Sequence, residues 1–494
     1  MTEKRIPLRG PDAQDLTRRR FLCRSGQVAL GSLILGGCSW TKLSSSAMIE
    51  PYTPSGPASD CVPKVKAAFV RRKGEYGMRW PGQIYDGKAA KAMYAEQLSE
   101  TAKQLGMDLE IRPEAIHGNN EAEAWLSQAK EENADGLMVV LLDRQEHAWP
   151  TADKASKTGI PTIIFSPLGS SFTTNTSRLA ERKGCVIYST NDFSQPAYGL
   201  KMIQARTKMH RTRCVVLRGD QRREGPLSDT GISLQYVPAK SFLDEYEKMP
   251  ISEEMNALAD EYIQNARLMR STTREDVIHG VKSYRVARKI LEAENADAIT
   301  MDCLGALGHT KVSLPCIAWS RMNDEGIPAA CEADLGAVTS HILVQYLFDR
   351  PGFQQDPVAD TSDDTIIGAH CCCATKLKGY AEPAEPYDLV PHHGNRDAVP
   401  RTLWAIGQRM TSVDVLPSNM KPGSQTKLLI SEGTVVQNME VPPSGGCVVS
   451  VKIKFDGDQD VLTFPGFHHL FFYGEFKAKL VEFSQLSGWE AQVV

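Results

Sequence analysis

Apolar and polar positions along this chain follow two rhythms, and the balance between them changes toward the end. Short apolar runs at 67–70, 137–142, 162–165 and 185–188 are bounded by polar or turn-forming residues. Runs of that length without polar alternation read as strands buried on both faces of a parallel sheet. Between or after them, 88–105, 121–131 and 197–209 repeat apolar residues at helical spacing. Strands alternating with helices predict a doubly wound α/β domain over 61–210. A second α/β domain is expected over 211–398. It opens with the strand 214–217 and Arg218-Gly219-Asp220, continues through helical stretches at 240–268 and 281–294, and returns to a strand at Ala298–Met301. From about residue 399 the texture becomes strand and turn, with strands at 426–430, 447–455 and 470–473 and a final helix at 477–486. This predicts a C-terminal β-rich, barrel-like domain over 399–494. The fold class is therefore α/β, two doubly wound α/β domains followed by that β-rich domain.

Residues 1–60 stand apart from the fold. Thr17-Arg18-Arg19-Arg20-Phe21-Leu22 fits a twin-arginine export motif, and the apolar stretch 28–35 after it is too short for a permanent span. Leu35-Gly36-Gly37-Cys38 has the form of a lipoprotein cleavage box, which would leave Cys38 lipidated as the new first residue. Ordinary cleavage near Ser46-Ala47 is the alternative. Both predict export, to the periplasm or to a membrane-anchored lipoprotein, with the membrane engaged only through signal or lipid. Twin-arginine export implies folding before translocation, the route of proteins that load a cofactor inside the cell.

The net charge of −4, with signs interspersed, gives no basic face and so no support for nucleic-acid binding. The twelve cysteines show no regular spacing, which reads as buried thiols and not as a disulfide scaffold or zinc knuckle. Cys371-Cys372-Cys373 follows His370, but adjacent residues of one strand cannot all face the same ion.

The chemistry concentrates in three segments. Ile327-Pro-Ala-Ala-Cys-Glu-Ala-Asp-Leu-Gly336 puts Glu332 and Asp334 two residues apart where a strand meets a helix. Alternation would turn both carboxylates to one face, where they could meet one ion or one substrate carbon. The same pair could equally be a helix N-terminal cap. Gly368-Ala369-His370 follows an apolar pair, and His468-His469 lies among aromatics, where burying imidazoles without partners is costly. Hard oxygens with imidazoles suit Mn²⁺, Fe²⁺, Co²⁺ or Zn²⁺ better than Ca²⁺. Arg71-Arg72-Lys73 and Arg218 with Asp220 fall at strand ends where a ligand could be met, and Trp80 and Trp404 could stack on a sugar.

Over approximately residues 280–494 these segments, in this order, resemble the L-fucose isomerase and L-arabinose isomerase superfamily. The resemblance implies a divalent ion, Mn²⁺ first, held by Glu332 or Asp334, His370 and His469. It also implies an aldose–ketose isomerisation through an ene-diolate, with Glu332 as base and Asp334 as its partner. A small-molecule sugar as substrate and a homo-oligomer follow from the same likeness, and Arg218 and Asp220, at a strand end where Gly219 allows close approach of the backbone, are the candidate substrate contacts. These enzymes use a second carboxylate expected before the Glu-x-Asp, where Asp302 and Glu325 are the available residues. Without it, the alternative is an exported, non-catalytic sugar-binding lipoprotein.

Overall fold

Strand Lys64–Val70 is apolar on both faces and becomes part of a parallel five-stranded sheet. In this computed structural model the described residues are 55–74, 77–78, 85–144, 147–392, 396–418, 425–440 and 447–494. The export motif, Cys38 and Trp80 therefore lie outside the described residues. Across the first sheet the strands run Asp108–Ile111, Lys64–Val70, Gly136–Leu141, Thr162–Ser166 and Cys185–Ser189, all parallel. Val65, Ala67 and Phe69 pack with Tyr94 and Leu98 of helix Gly87–Gln104 and with Ile203 of helix Ser194–Arg211. Ala68 and Val70 pack on the other face with Trp125 of helix Asn119–Glu131 and Ala152 of helix Ala148–Ser156. Helices on both faces make this a doubly wound sheet. Strand Asp108–Ile111 was not anticipated, because Asp-Leu-Glu-Ile is a half-exposed edge strand with no apolar run.

The second sheet runs Ala329–Cys331, Ala298–Met301, Arg213–Leu217, Ser233–Val237 and Arg223–Pro226, parallel except for the last. The helical stretch expected at 240–268 is two helices, Lys240–Lys248 and Glu253–Asn265. Pro250 disfavours helical geometry at Met249, which sits at ψ 118°, and Ser252 caps the second helix by accepting from the Met255 N–H. Helix Arg274–Ala293 starts earlier than expected, at a capping box in which Thr273 and Asp276 satisfy each other's backbone N–H groups.

Six antiparallel strands close a barrel: Arg409–Leu416, His469–Tyr473, Phe353–Asp360, Thr365–His370, Val449–Phe455 and Lys427–Asn438, the last pairing back with the first. Two of these strands precede residue 399, so His370 sits on a barrel strand. A short sheet of Leu268–Met269, Tyr387–His392 and Arg396–Thr402 stands apart from the barrel. Helix Leu335–Phe348 is apolar nearly all round and buried. It packs against helix Ser194–Arg211, barrel strand Arg409–Leu416 and strand Ala329–Cys331. Trp404, considered as a sugar platform, is buried among Phe353, Phe471 and Tyr473 and offers no face to a ligand.

Candidate metal centre

The parallel strands of the second sheet end together, and residues that follow them share one edge. Met301 pairs with both Cys331 and Leu217, which places Glu332, Asp302 and Arg218 side by side along the carboxyl edge. Ligands of open α/β sheets are met at such edges. The chain leaves this edge through Glu332 and Ala333, both in the left-handed region at φ 66° and 50°. That conformation costs about 1 kcal/mol or more for each residue with a side chain. The turn is held by the Ala333 N–H on the Met301 carbonyl at 2.9 Å and the Asp334 N–H on the Cys331 carbonyl at 3.3 Å.

The two carboxylates of the Glu-x-Asp motif do different work. Asp334 is the N-cap of helix Leu335–Phe348, its Oδ1 accepting from the Ala337 N–H at 2.7 Å, while Oδ2 holds His468 Nδ1 at 3.0 Å. Glu332, with a third of its side chain exposed, reaches His370 Nε2 through Oε1 and His468 Nε2 through Oε2, both at 3.6 Å. The motif is thus divided: Asp334 is the helix cap, and Glu332 faces the two imidazoles.

Donor atoms of Glu332, His370 and His468 lie within 4.8 Å of one another. A further carboxylate joins them from the barrel: Asp356 Oδ1 is 3.1 Å from His468 Nε2. Barrel pairing explains this, because Gln355 opposes His469 and the next step brings Asp356 beside His468. His370 Nε2, His468 Nε2 and Asp356 Oδ1 are buried and, among the described residues, have no hydrogen-bond partner of acceptable angle. Buried polar atoms are ordinarily satisfied, so atoms that converge without bonding one another fit a shared cation. Two carboxylates and two imidazoles are a donor set for Mn²⁺, Fe²⁺, Co²⁺ or Zn²⁺. Phe467 lies against His468 with ring centroids 4.5 Å apart and is itself exposed, an aromatic lip beside the cluster.

Electrostatics agree with a site that gathers positive charge. The His370 imidazole facing Glu332, with His468 beside it, holds the Glu332 carboxyl below the usual range. Burial works against a charge on His468, but the Asp334 hydrogen bond and the nearby Asp356 outweigh it and lift the imidazole to about 9. His370 is also raised, with Cys372 and Glu332 overcoming its burial.

The other expected residues fall elsewhere. His469 turns away from the cluster, with Nδ1 against Ser412 Oγ at 3.0 Å and Nε2 against the Pro465 carbonyl at 2.6 Å. Neighbouring residues of a strand face opposite sides, so only one of the pair can reach the cluster, and it is His468. Asp302 caps the short helix Cys303–Leu307 through the Gly305 N–H at 3.2 Å, and Glu325 is engaged by Tyr284 and Arg321. Neither joins the donor group. Arg218 and Asp220 are exposed on the edge that carries Glu332. Of the basic run after the first strand, Arg72 is paired with buried Asp143 at 2.9 Å and Arg71 donates to the Gly74 carbonyl at 2.6 Å. Sequence reasoning missed Asp356 and Phe467. Asp356 precedes Pro357, a residue that argues against a strand in the sequence although the strand Phe353–Asp360 runs through it, and its meeting with His468 depends on barrel register.

No family model matches the chain. Over 229 residues it is 24% identical to the sulfoquinovose isomerase of Clostridium sp. (strain MSTE9), a match that covers 43% of this chain and 47% of that enzyme. The chain thus spans about half the length of the curated relative it matches, and that relative is a sugar isomerase.

Proposed function

We propose that this protein is an exported, divalent-metal-dependent aldose–ketose isomerase of the L-fucose and L-arabinose isomerase class. The observation that carries the reading is the gathering of Glu332, His370 and His468 with Asp356 beside His468, where His370 Nε2, His468 Nε2 and Asp356 Oδ1 are buried without hydrogen-bond partners among the described residues. The distant likeness to a sugar isomerase supports it independently. Glu332, Asp356, His468 and His370 would hold the ion, with Mn²⁺ the first candidate. When bound, such an ion polarises a carbonyl and stabilises developing negative charge on adjacent sugar oxygens.

The remaining work falls to the chain's own groups. Interconverting an aldose and a ketose moves one proton between C2 and C1 through an ene-diolate. Glu332 is the base of this proposal, because its carboxyl is held ionised and a third of it faces outward. Asp356 takes the place of the second carboxylate, moving hydroxyl protons opposite Glu332. Asp334 has one oxygen on a helix N–H and the other on His468, so it orients the imidazole and is not the proton-transfer partner. Phe467 offers its ring to the apolar face of a sugar. Arg218 and Asp220, two strands from Glu332 and hence roughly 10 Å away, would meet the far end of the open chain. Twin-arginine export, a lipid on Cys38 and a homo-oligomer belong to the same proposal.

The test is bound divalent metal per chain, in protein produced with Mn²⁺, for the wild type and for Glu332→Ala and His468→Ala. A screen of aldoses and ketoses that includes sulfoquinovose accompanies it. Stoichiometric metal lost in both variants, with interconversion of at least one sugar, is the expected result. A folded wild type without metal would sink the enzyme reading. It would leave an exported sugar-binding protein, which keeps its ligand after chelation.

A further inference from the structure

Directly beneath the oxygen-rich cluster lies a second donor group of different chemistry. Thiol and imidazole donors of Cys331, His370 and Cys372 are all buried and within 4.8 Å of one another. Cys303, at the start of the helix Cys303–Leu307, places a third thiol beside Cys331, outside that close group. His370 serves both groups through opposite ring nitrogens: Nδ1 faces Cys372 Sγ at 3.5 Å, while Nε2 faces Glu332 at 3.6 Å. The run Cys371-Cys372-Cys373 contributes only its middle member. Cys371 lies beside the free thiol of Cys447, and Cys373 donates to the Ala374 carbonyl at 3.3 Å.

We infer that Cys303, Cys331, Cys372 and Nδ1 of His370 form a second, soft-metal site whose ligand is Zn²⁺. Cys331, Cys372 and His370 are already gathered, and the Cys303 thiolate, drawn in beside Cys331 as the fourth ligand, would complete the closed tetrahedral donor set of structural zinc. Four ligands drawn from three separate places also suit a structural role. Cys331 ends a strand of the second sheet, Cys303 opens the neighbouring helix, and His370 and Cys372 come from the end of a barrel strand. The ion would tie the α/β sheet to the barrel beneath the hard-metal site and fix the His370 ring as an outer partner fixes a ligating imidazole. Sulfur selects the soft ion while carboxylate selects the hard one, so both sites fill without competing for a nitrogen. Binding releases the thiol protons and, with both metal sites filled, the remaining ring N–H proton of His370, which then bridges the two ions as an imidazolate; metal–sulfur bonds form with no change of oxidation state.

Reduced, metal-stripped, full-length protein is titrated with Co²⁺, a spectroscopic probe for tetrahedral zinc sites, and separately with Zn²⁺ for X-ray absorption. The expected result is an intense sulfur-to-cobalt charge-transfer band that Zn²⁺ abolishes, and sulfur scatterers at about 2.3 Å from zinc. Cys331→Ser and Cys372→Ser should lose the band. Glu332→Ala should keep it, so failure of the isomerase reading leaves this outcome untouched. No sulfur scatterer around zinc in the folded, reduced wild type would overturn the inference. So would a band that persists in the Cys331→Ser, Cys372→Ser double variant, or recovery of the native protein with Cys331 and Cys372 joined as a disulfide. The absorption measurement needs only wild type, so a variant that fails to fold does not blunt the test.

Discussion

His468 and His469 differ by one position and by everything around them. His468 meets two carboxylates and sits beside Glu332, whereas both nitrogens of His469 are used inside the fold. His468→Ala should therefore remove the metal and turnover together. His469→Ala should keep metal stoichiometry while losing about 1–3 kcal/mol of stability, because Ser412 is left with an unmet buried hydroxyl. Metal analysis and chemical denaturation of the two variants separate these outcomes. The pair shows how far sequence goes at this scale: His-His among aromatics marked the segment, but which ring faces the site is set by strand phase, and pairing with Gln355 fixes that phase. Asp356→Asn keeps the shape and removes the charge, and should lower kcat by roughly 10²-fold or more if that carboxylate moves protons. His341, which has no part in the proposed chemistry, supplies a pH test of stability. It is fully buried, both ring nitrogens lack partners among the described residues, and burial pushes its imidazole down to about 3. The folded value is below that of the unfolded chain, so this contribution to stability is present above about pH 6.5 and is lost as pH falls toward 3. The melting temperature should decline more steeply on acidification in the wild type than in His341→Leu.

At the level of elements, the site depends on how helix Leu335–Phe348 is mounted. Its cap, Asp334, holds His468, and its second residue, Gly336, has no room for a side chain. A Cβ there would stand 2.6 Å from the Val415 carbonyl of the barrel. Asp334→Ala should cost about 1 kcal/mol through the lost cap and weaken metal binding by 10–100-fold through the released imidazole. A cap alone would give only the first effect, so measuring stability and metal affinity on the same variant divides the two roles. The apolar runs were legible because buried parallel strands are apolar on both faces, and six of the first two sheets' strands were placed from them within a few residues. Elements set by context were not. Strand Asp108–Ile111 has an edge pattern, and the barrel strands Phe353–Asp360 and Thr365–His370 precede the change of texture that suggested a β domain. Their membership comes from long-range pairing with Val449–Phe455 and His469–Tyr473, which local periodicity does not encode.

For the whole molecule, the decisive feature is that no single layer owns the candidate centre. Glu332 and Asp334 come from the junction of the second sheet with its helix, and Asp356, His370 and His468 come from the barrel or the turn into it. Gln354 reinforces the same junction, accepting from the Cys331 N–H at 2.8 Å through a fully buried side chain. An ion held from both sides binds only when sheet and barrel are docked, and a ligand that binds only the folded state stabilises it by mass action. At a hundred times its dissociation constant the gain is about 2.7 kcal/mol. Adding Mn²⁺ should then raise the melting temperature of the wild type, and chelation should reverse the rise. Glu332→Ala and Asp356→Ala, which alter opposite sides of the junction, should each lose most of that response. If the barrel variant lost it and the sheet variant kept it, the ion would belong to the barrel alone, and Glu332 would be left without its place in the chemistry. Equal loss from both sides would make docking of the two layers the condition for the site to exist.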